Sequence, residues 1–407
     1  MGNRFLGQAI VFASLLASCS SAHSGSERDA GQEDARMDDA YVAIPGEMRR
    51  LRAEDGDRIH ELAVDSQNHI CALVTRASRE LHYGCFDATD TFVSHGLIAT
   101  GSAGCHGLAL DPNDNPSMIC GAYDAGAEFT LAGVTHTQAS CAVRLEGEAV
   151  WAECVSQPFF IRSFAHNERT HAVAAVIASE EVTGMLGPFE MGLGIYIASG
   201  LPIVERTQLH LFIESNIGAY AIFPAEDGGW FIAGDYFSAP GWMLPESPSG
   251  QAPFWLKVDA DFHPLEAHTY PHSASATSWS LGADGRIVGI AFSFADGFDM
   301  MPTYFVGEGL EPWVPIGVVG PNGGIYGARA SSTNIVALGQ TWNRMPFTIG
   351  PTTFDYQPRT QVLATFTRTG EFLAARRVPG DFGNAVLLHD GAVAYAEGNL
   401  VHVLSIR

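Results

Sequence analysis

The sequence predicts an all-β protein, a seven-bladed β-propeller of four-stranded blades, and three observations lead there. Glycine is abundant, 44 of 407 residues, while only 16% of the chain is charged, which favours short apolar strands joined by tight turns over helical or disordered chain. A strand–turn–strand pattern returns about every 45 to 60 residues, the length one four-stranded blade needs. The last unit is one strand short, and a strand-like segment near the head of the chain, Met48 to Arg52, has nothing before it to pair with.

In chain order, Arg4 precedes an apolar run from Ala9 to Ala17, a stretch too short to span a bilayer as a mature helix. The run ends in Leu16-Ala17-Ser18-Cys19, which resembles the lipobox of bacterial lipoproteins. That resemblance implies a signal peptide over residues 1–18, cleavage before Cys19 and a lipid, palmitate included, on its thiol. Ser20 in place of an aspartate implies, by the same likeness, transfer to the outer membrane, with the chain held on its periplasmic or cell-surface face. The competing reading is an ordinary signal peptide with an incidental cysteine. Residues 19–44 are rich in Ser, Ala, Gly, Asp, Glu and Arg with few large apolar side chains, so they read as a disordered tether. The propeller domain takes 45–407.

A formal charge of -23, a single lysine (Lys257) and one small basic cluster, Arg49, Arg50 and Arg52, exclude nucleic acid as a partner, because phosphate neutralisation needs many cations. Such a surface also disfavours broad contact with anionic headgroups. Attachment to a membrane is therefore expected through Cys19 alone.

Seven segments enter a polar turn from one short apolar strand and leave in another. They run Leu62–Leu73, Leu108–Cys120, Phe164–Ala175, Ala221–Ala233, Trp279–Ile290, Tyr326–Leu338 and Val386–Ala396, with Asp-Gly at 227–228, 284–285 and 390–391. Six later turns follow, at 87–89, 146–148, 199–201, 259–261, 308–310 and 369–371. Seven first hairpins and six second hairpins leave Leu400–Ile406 as a third strand without a fourth. Met48–Arg52 is expected to supply that fourth strand, closing the ring and removing open sheet edges.

Phe129-Thr130-Leu131-Ala132-Gly133 leading to Cys141 through Gly147 and Val150-Trp151, and again Phe347-Thr348-Ile349-Gly350 leading to Phe366 through Gly370, resemble the propeller repeats of bacterial cell-surface lipoproteins. The likeness lies in turn and apolar spacing over most of the chain after residue 47, not in an active-site signature. The unit from Ser163 to His210 departs from it, having no Asp-Gly turn.

Besides Cys19, six cysteines lie between 71 and 154, an even number that argues for disulfides in an exported chain. Residues opposite one another in a hairpin have a constant index sum, which favours Cys71 with Cys85, Cys105 with Cys120 and Cys141 with Cys154. A rival follows from internal symmetry, since Cys71 and Cys85 occupy the blade positions of Cys120 and Cys141. None forms a CxxC pair, so redox catalysis is not expected.

Connections between second and third strands emerge at the same end as the blade-to-blade crossings. The long ones, 124–139, 180–193, 235–253, 293–303 and 340–360, carry Tyr236, Trp242, Phe298, Trp342 and Phe347, a candidate surface for a glycan, a peptide or a protein partner. The same aromatic residues equally serve to pack these connections onto the blades. His263, Glu266, His268 and His272 offer metal-ligand chemistry, but alternation along a strand puts His263 on the other face from Glu266 and His268. Asp111-Pro112-Asn113-Asp114-Asn115 lacks the glycine and closing acid of a calcium loop. His60 and His106 stand at equivalent blade positions, pointing to a repeated structural contact. No GxSxG, P-loop, HExxH or dinucleotide fingerprint is present. No metal or cofactor is expected. The leading functional expectation is a lipid-anchored, non-enzymatic binding or scaffold module. The alternatives are an enzyme processing polysaccharide or peptide at the central channel, and a purely structural surface component.

Overall fold

The computed structural model describes residues 47–405, apart from connections of which the longest are 180–193, 200–206, 211–216, 237–251 and 294–302, and a set of breaks of five residues or fewer that includes 342–346. Cys19, the leader and the tether therefore lie outside the described residues. No helix among those described is long and apolar enough to cross a membrane.

The fold is an all-β propeller. Strand β1 (Glu47–Arg52) is followed by β2 (Arg58–Val64), β3 (Ile70–Thr75), β4 (Glu80–Phe86) and β5 (Phe92–Gly101). Next come β6 (Ala103–Leu110), β7 (Pro116–Ala122), a hairpin of β8 (Glu128–Leu131) and β9 (Val134–Thr137), then β10 (Ala139–Glu146) and β11 (Ala149–Ser156). Strands β12 (Phe159–Asn167), β13 (Ala172–Ser179), β14 (Gly194–Ser199) and β15 (Thr207–His210) make one sheet, and β16 (Ile217–Pro224), β17 (Trp230–Tyr236), β18 (Ala252–Val258) and β19 (Pro264–Thr269) the next. A further sheet holds β20 (Ser275–Leu281), β21 (Ile287–Ser293), β22 (Thr303–Glu308) and β23 (Val314–Val318). After it come β24 (Gly323–Ala330), β25 (Asn334–Thr341), the hairpin β26 (Phe347–Ile349) and β27 (Thr352–Phe354), β28 (Thr360–Thr367) and β29 (Phe372–Pro379). The chain ends in β30 (Ala385–Leu387), β31 (Val393–Glu397) and β32 (Leu400–Leu404).

Uniform blades are not what forms, and here the expectation of seven equivalent four-stranded blades is corrected. Five sheets are four-stranded meanders drawn from one stretch of chain: β6-β7-β10-β11, β12 to β15, β16 to β19, β20 to β23 and β24-β25-β28-β29. Another, β2-β3-β4-β5-β8-β9, has six strands. Its extra hairpin comes from the connection between β7 and β10 and reaches back to β5, pairing Ala99 with Leu131 and Gly101 with Phe129. A polar edge is thereby covered. The remaining sheet joins both ends of the chain in the order β1-β32-β31-β30. Its register runs Arg49 with Val403, Leu51 with Val401 and Arg52 with Leu400, the closure the sequence predicts.

One turn recurs through the molecule. At Asp65–His69, Arg76–Glu80, Asp87–Thr91, Asp111–Asn115, Ala225–Gly229, Asp259–His263, Thr367–Glu371 and Leu388–Ala392, the first amide donates to the fifth carbonyl and the fourth amide to the first carbonyl. The fourth residue has positive φ each time: Asn68, Arg79, Asp90, Asp114, Gly228, Phe262, Gly370 and Gly391. This is a type I turn closed by a left-handed residue, which explains the Asn, Asp and Gly at that position. Where aspartate leads, its carboxylate accepts from the third and fifth amides, as Asp65 does from Gln67 and His69.

Apolar faces of neighbouring sheets make the core. Leu51, Leu62, Ile70, Ala72, Val74, Val386, Ala394, Val401 and Val403 seal the closing sheet against its neighbour. Leu73, Leu81, Ile98, Met118, Phe129 and Val143 do the same between the next two sheets. Each large side chain so buried contributes about 1.5–3 kcal/mol. Gly84 shows how closely strands approach, since a Cβ there would lie 2.1 Å from the carbonyl oxygen of Val93.

Candidate functional site

A β-bulge recurs on the first strand of sheet after sheet. Register skips one residue between Ile59 and Glu61, between Ile161 and Ser163, between Ala219 and Ala221, between Ala276 and Ser278 and between Ile325 and Gly327. The sixth shift lies between His106 and Ala109. The skipped residues are His60, Arg162, Tyr220, Thr277 and Tyr326, and His106 occupies the matching position in β6, five residues before the turn-opening Asp111 as His60 is before Asp65. First strands of successive sheets neighbour one another: β30 with β2, β2 with β6, β12 with β16, β16 with β20, β20 with β24 and β24 with β30. The bulged positions thus form a belt at one level, near the end where first strands begin. Topology puts the blade crossings and second-to-third connections at that same end.

Two hydrogen bonds give the bulge a local cause. Glu61 Oε2 accepts from the amide of Leu108 at 2.6 Å, and Ser163 Oγ accepts from the amide of Ile222 at 3.0 Å. In both, the residue after the bulge supplies an oxygen to the second residue beyond the bulge position in the next first strand. An edge strand has amides that need such a partner. Bulges re-aim side chains and concentrate beside working sites.

His60 and His106 share a position but not a contact, which corrects the expectation of a repeated one. His60 is half-buried with a ring nitrogen 2.7 Å from Thr75 Oγ1, and burial first, then the Arg58 charge, pushes its pKa down to about 4. It is neutral at pH 7. His106 is exposed.

Of the expected aromatic surface, Trp242, Phe298 and Trp342 lie outside the described residues. Tyr236 ends β17, paired with Ile217 at the start of β16, so its backbone stands at the belt's end of that sheet. Phe347 opens β26, opposite Phe354. Two connections expected to be irregular contain hairpins of one design: Phe129 opposite His136 and Phe347 opposite Phe354, each followed by a threonine pair, Thr130 with Thr135 at 3.2 Å and Thr348 with Thr353 at 3.0 Å.

The disulfides are Cys71–Cys85, Cys105–Cys120 and Cys141–Cys154, the sequential set, and the symmetry-derived rival is overturned. Cys105, Cys120, Cys141 and Cys154 are consecutive register partners across β6, β7, β10 and β11, so bonding the middle two would strand the outer pair.

The histidine group near β19 disperses. His263 Nδ1 lies 3.2 Å from Asp259 and His268 Nε2 lies 2.6 Å from Glu266, with the His268 ring stacked on Trp255 at 4.1 Å; His272 is outside the described residues. Asp111 forms a turn, not an ion loop: Oδ1 accepts from the amides of Asn113 and Asn115, and Oδ2 pairs with buried Arg144 at 2.6 Å. The basic cluster is matched by acids, Arg49 with Asp90, Arg50 with Glu47 and Arg52 with Asp55. Beside it a cleft of about 270 Å³ is lined by Arg52, Ala53, Glu54, Asp55, Thr91 and Phe92.

No family model matches this sequence, and no curated protein matches it. Solved structures align with it over most of its length. Virginiamycin B lyase from Staphylococcus aureus is 9% identical with a TM-score of 0.47, over 88% of this chain and 99% of that one. Hydrazine synthase from Kuenenia stuttgartiensis is 11% identical, TM-score 0.47, over 90% and 100%. The polysaccharide lyase Uly1 is 9% identical, TM-score 0.44, over 89% and 100%.

Proposed function

We propose that the chain is a non-catalytic binding module whose working surface is the bulge belt together with the connections at its end of the propeller, and that its ligand is a glycan. The recurrent bulge is the observation that carries this. It sets His60, Arg162, Tyr220, Thr277 and Tyr326 at one level on five first strands, and His106 stands at the matching position of β6, beside that strand's own register shift. Histidine, arginine, tyrosine and threonine combine ring faces with donors and acceptors, the mixture that hydroxyl-rich ligands require. Trp242, Phe298 and Trp342 belong, in this reading, to the adjoining connections.

His60 enters this reading as a hydrogen-bonding group, not as a general base. A general base works best with a pKa near the operating pH, and one at about 4 makes a neutral hydrogen-bonding group instead. Glycan and peptide arrays probed with residues 46–407 test the reading: retention on glycans supports it, and retention on peptides alone contradicts it.

The address belongs to the same reading. Three disulfides suit an oxidising compartment, and Leu16-Ala17-Ser18-Cys19 carries the proposed lipid anchor. Mass spectrometry of the mature N-terminus, from a host with lipoprotein processing, should find a diacylglycerol-modified Cys19. A mature chain beginning elsewhere, unmodified, would remove the anchor from the account.

A further inference from the structure

We infer that His136, Cys141 and Cys154 form a redox-gated site for a thiophilic divalent cation, zinc being the fitting one, which opens when the Cys141–Cys154 disulfide is reduced. The ligand atoms lie within 4.8 Å of one another, and His136 Nε2 is 3.8 Å from Cys154 Sγ. In a tetrahedral zinc site, Zn–S near 2.3 Å and Zn–N near 2.0–2.1 Å put neighbouring ligand atoms about 3.5–3.8 Å apart. The nitrogen stands at about that separation from Cys154 Sγ and within 4.8 Å of Cys141 Sγ. Metal entry requires the two sulfurs to part, from a bonded pair to about 3.8 Å, with the imidazole adjusting to Cys141.

Three features mark His136 as placed rather than incidental. It rides on the β8–β9 hairpin, which leaves its own sheet to pair with β5 and so reaches the face where the cysteines lie. Its ring stacks on buried Phe129, centroids 5.4 Å apart, which fixes its plane. In the sister hairpin the same position is Phe354, packed in the core, so the hairpin does not itself require a histidine. Cys154 is half-buried and within reach of a reductant, whereas Cys141 is fully buried.

The chemistry balances with a small dithiol as reductant. Its two thiols give two electrons and two protons, becoming a disulfide, while the Cys141–Cys154 bond breaks to two protein thiols. Zinc then displaces both thiol protons and takes neutral imidazole as third ligand. A fourth position stays open for water or an anion.

The test is anaerobic titration of the full chain with cobalt(II), after mild dithiol treatment and removal of the dithiol. Wild type should bind one cobalt, with sulfur-to-metal charge-transfer and tetrahedral ligand-field absorption that zinc abolishes, while the oxidised chain stays colourless. His136→Phe, which copies the sister hairpin and so keeps the packing, should weaken binding at least tenfold, and Cys141→Ser with Cys154→Ser should abolish it. The inference is overturned if the reduced wild type gives no charge-transfer band, if His136→Phe binds like wild type, if the double serine variant keeps the signal, if the oxidised chain binds equally well, or if reduction abolishes the β-sheet circular dichroism.

Discussion

Arg144 and Asp111 show what single residues do here. The Asp111 carboxylate organises its own turn with one oxygen and neutralises Arg144 with the other, both side chains being almost fully buried. Removing Asp111 leaves buried Arg144 with only the half-exposed Glu146, 3.0 Å from its Nε, so Asp111→Ala should destabilise the protein by about 2–3 kcal/mol, below the cost of a wholly unpaired buried charge, read as a shift in the urea midpoint. A cost under about 1 kcal/mol would show the pair to be solvated. His60 makes a prediction of opposite character. Its folded pKa, about 4, lies below the ordinary 6.5, so the unfolded chain takes up the proton first. The stability this residue contributes is complete above pH 6.5 and is lost as pH falls towards 4, to the extent of roughly 2–3 kcal/mol. Comparing urea midpoints at pH 7.5 and 4.5, wild type should lose more on acidification than His60→Asn; parallel losses would refute the assignment. The turn at Asp111 was legible because its residues are contiguous. Its arginine partner was not, since it sits on β10 and only folding brings it near.

Among the elements, β1 is the one on which closure depends. Leu51 has no exposed surface, and Glu47 holds His402 of β32 at 2.7 Å. A chain beginning at residue 46 should melt like one beginning at Cys19, whereas one beginning at residue 53 should lose its cooperative transition or melt far lower; equal melting of the last two would disconnect β1 from closure. Leu51→Ala alone should cost about 2–5 kcal/mol. This element was readable by counting strands. The β8–β9 hairpin was not, because its strands are four residues long and its pairing partner β5 belongs to another sheet, so nothing local distinguishes it from a loop. The bulges escaped for a related reason. A skipped residue changes register with a neighbour but leaves the apolar alternation of a short strand nearly unaltered.

At the scale of the whole molecule, turn chemistry and apolar spacing are local properties and wrote the propeller into the sequence, whereas the choice between two disulfide pairings needed the register across β6, β7, β10 and β11. The candidate site is assembled from positions in six sheets, each unremarked on its own: of the belt, sequence reading singled out only His60 and His106, and then for a structural role. The measurement that tests the central claim most directly is calorimetric titration of residues 46–407 with the best glycan from the arrays, comparing wild type, Arg162→Ala with Tyr220→Ala, and Asp261→Ala at the β18–β19 turn of the opposite end. The account predicts at least tenfold weaker binding for the belt variant and none for the turn variant. Wild-type affinity in the belt variant, with its melting temperature unchanged, would contradict it.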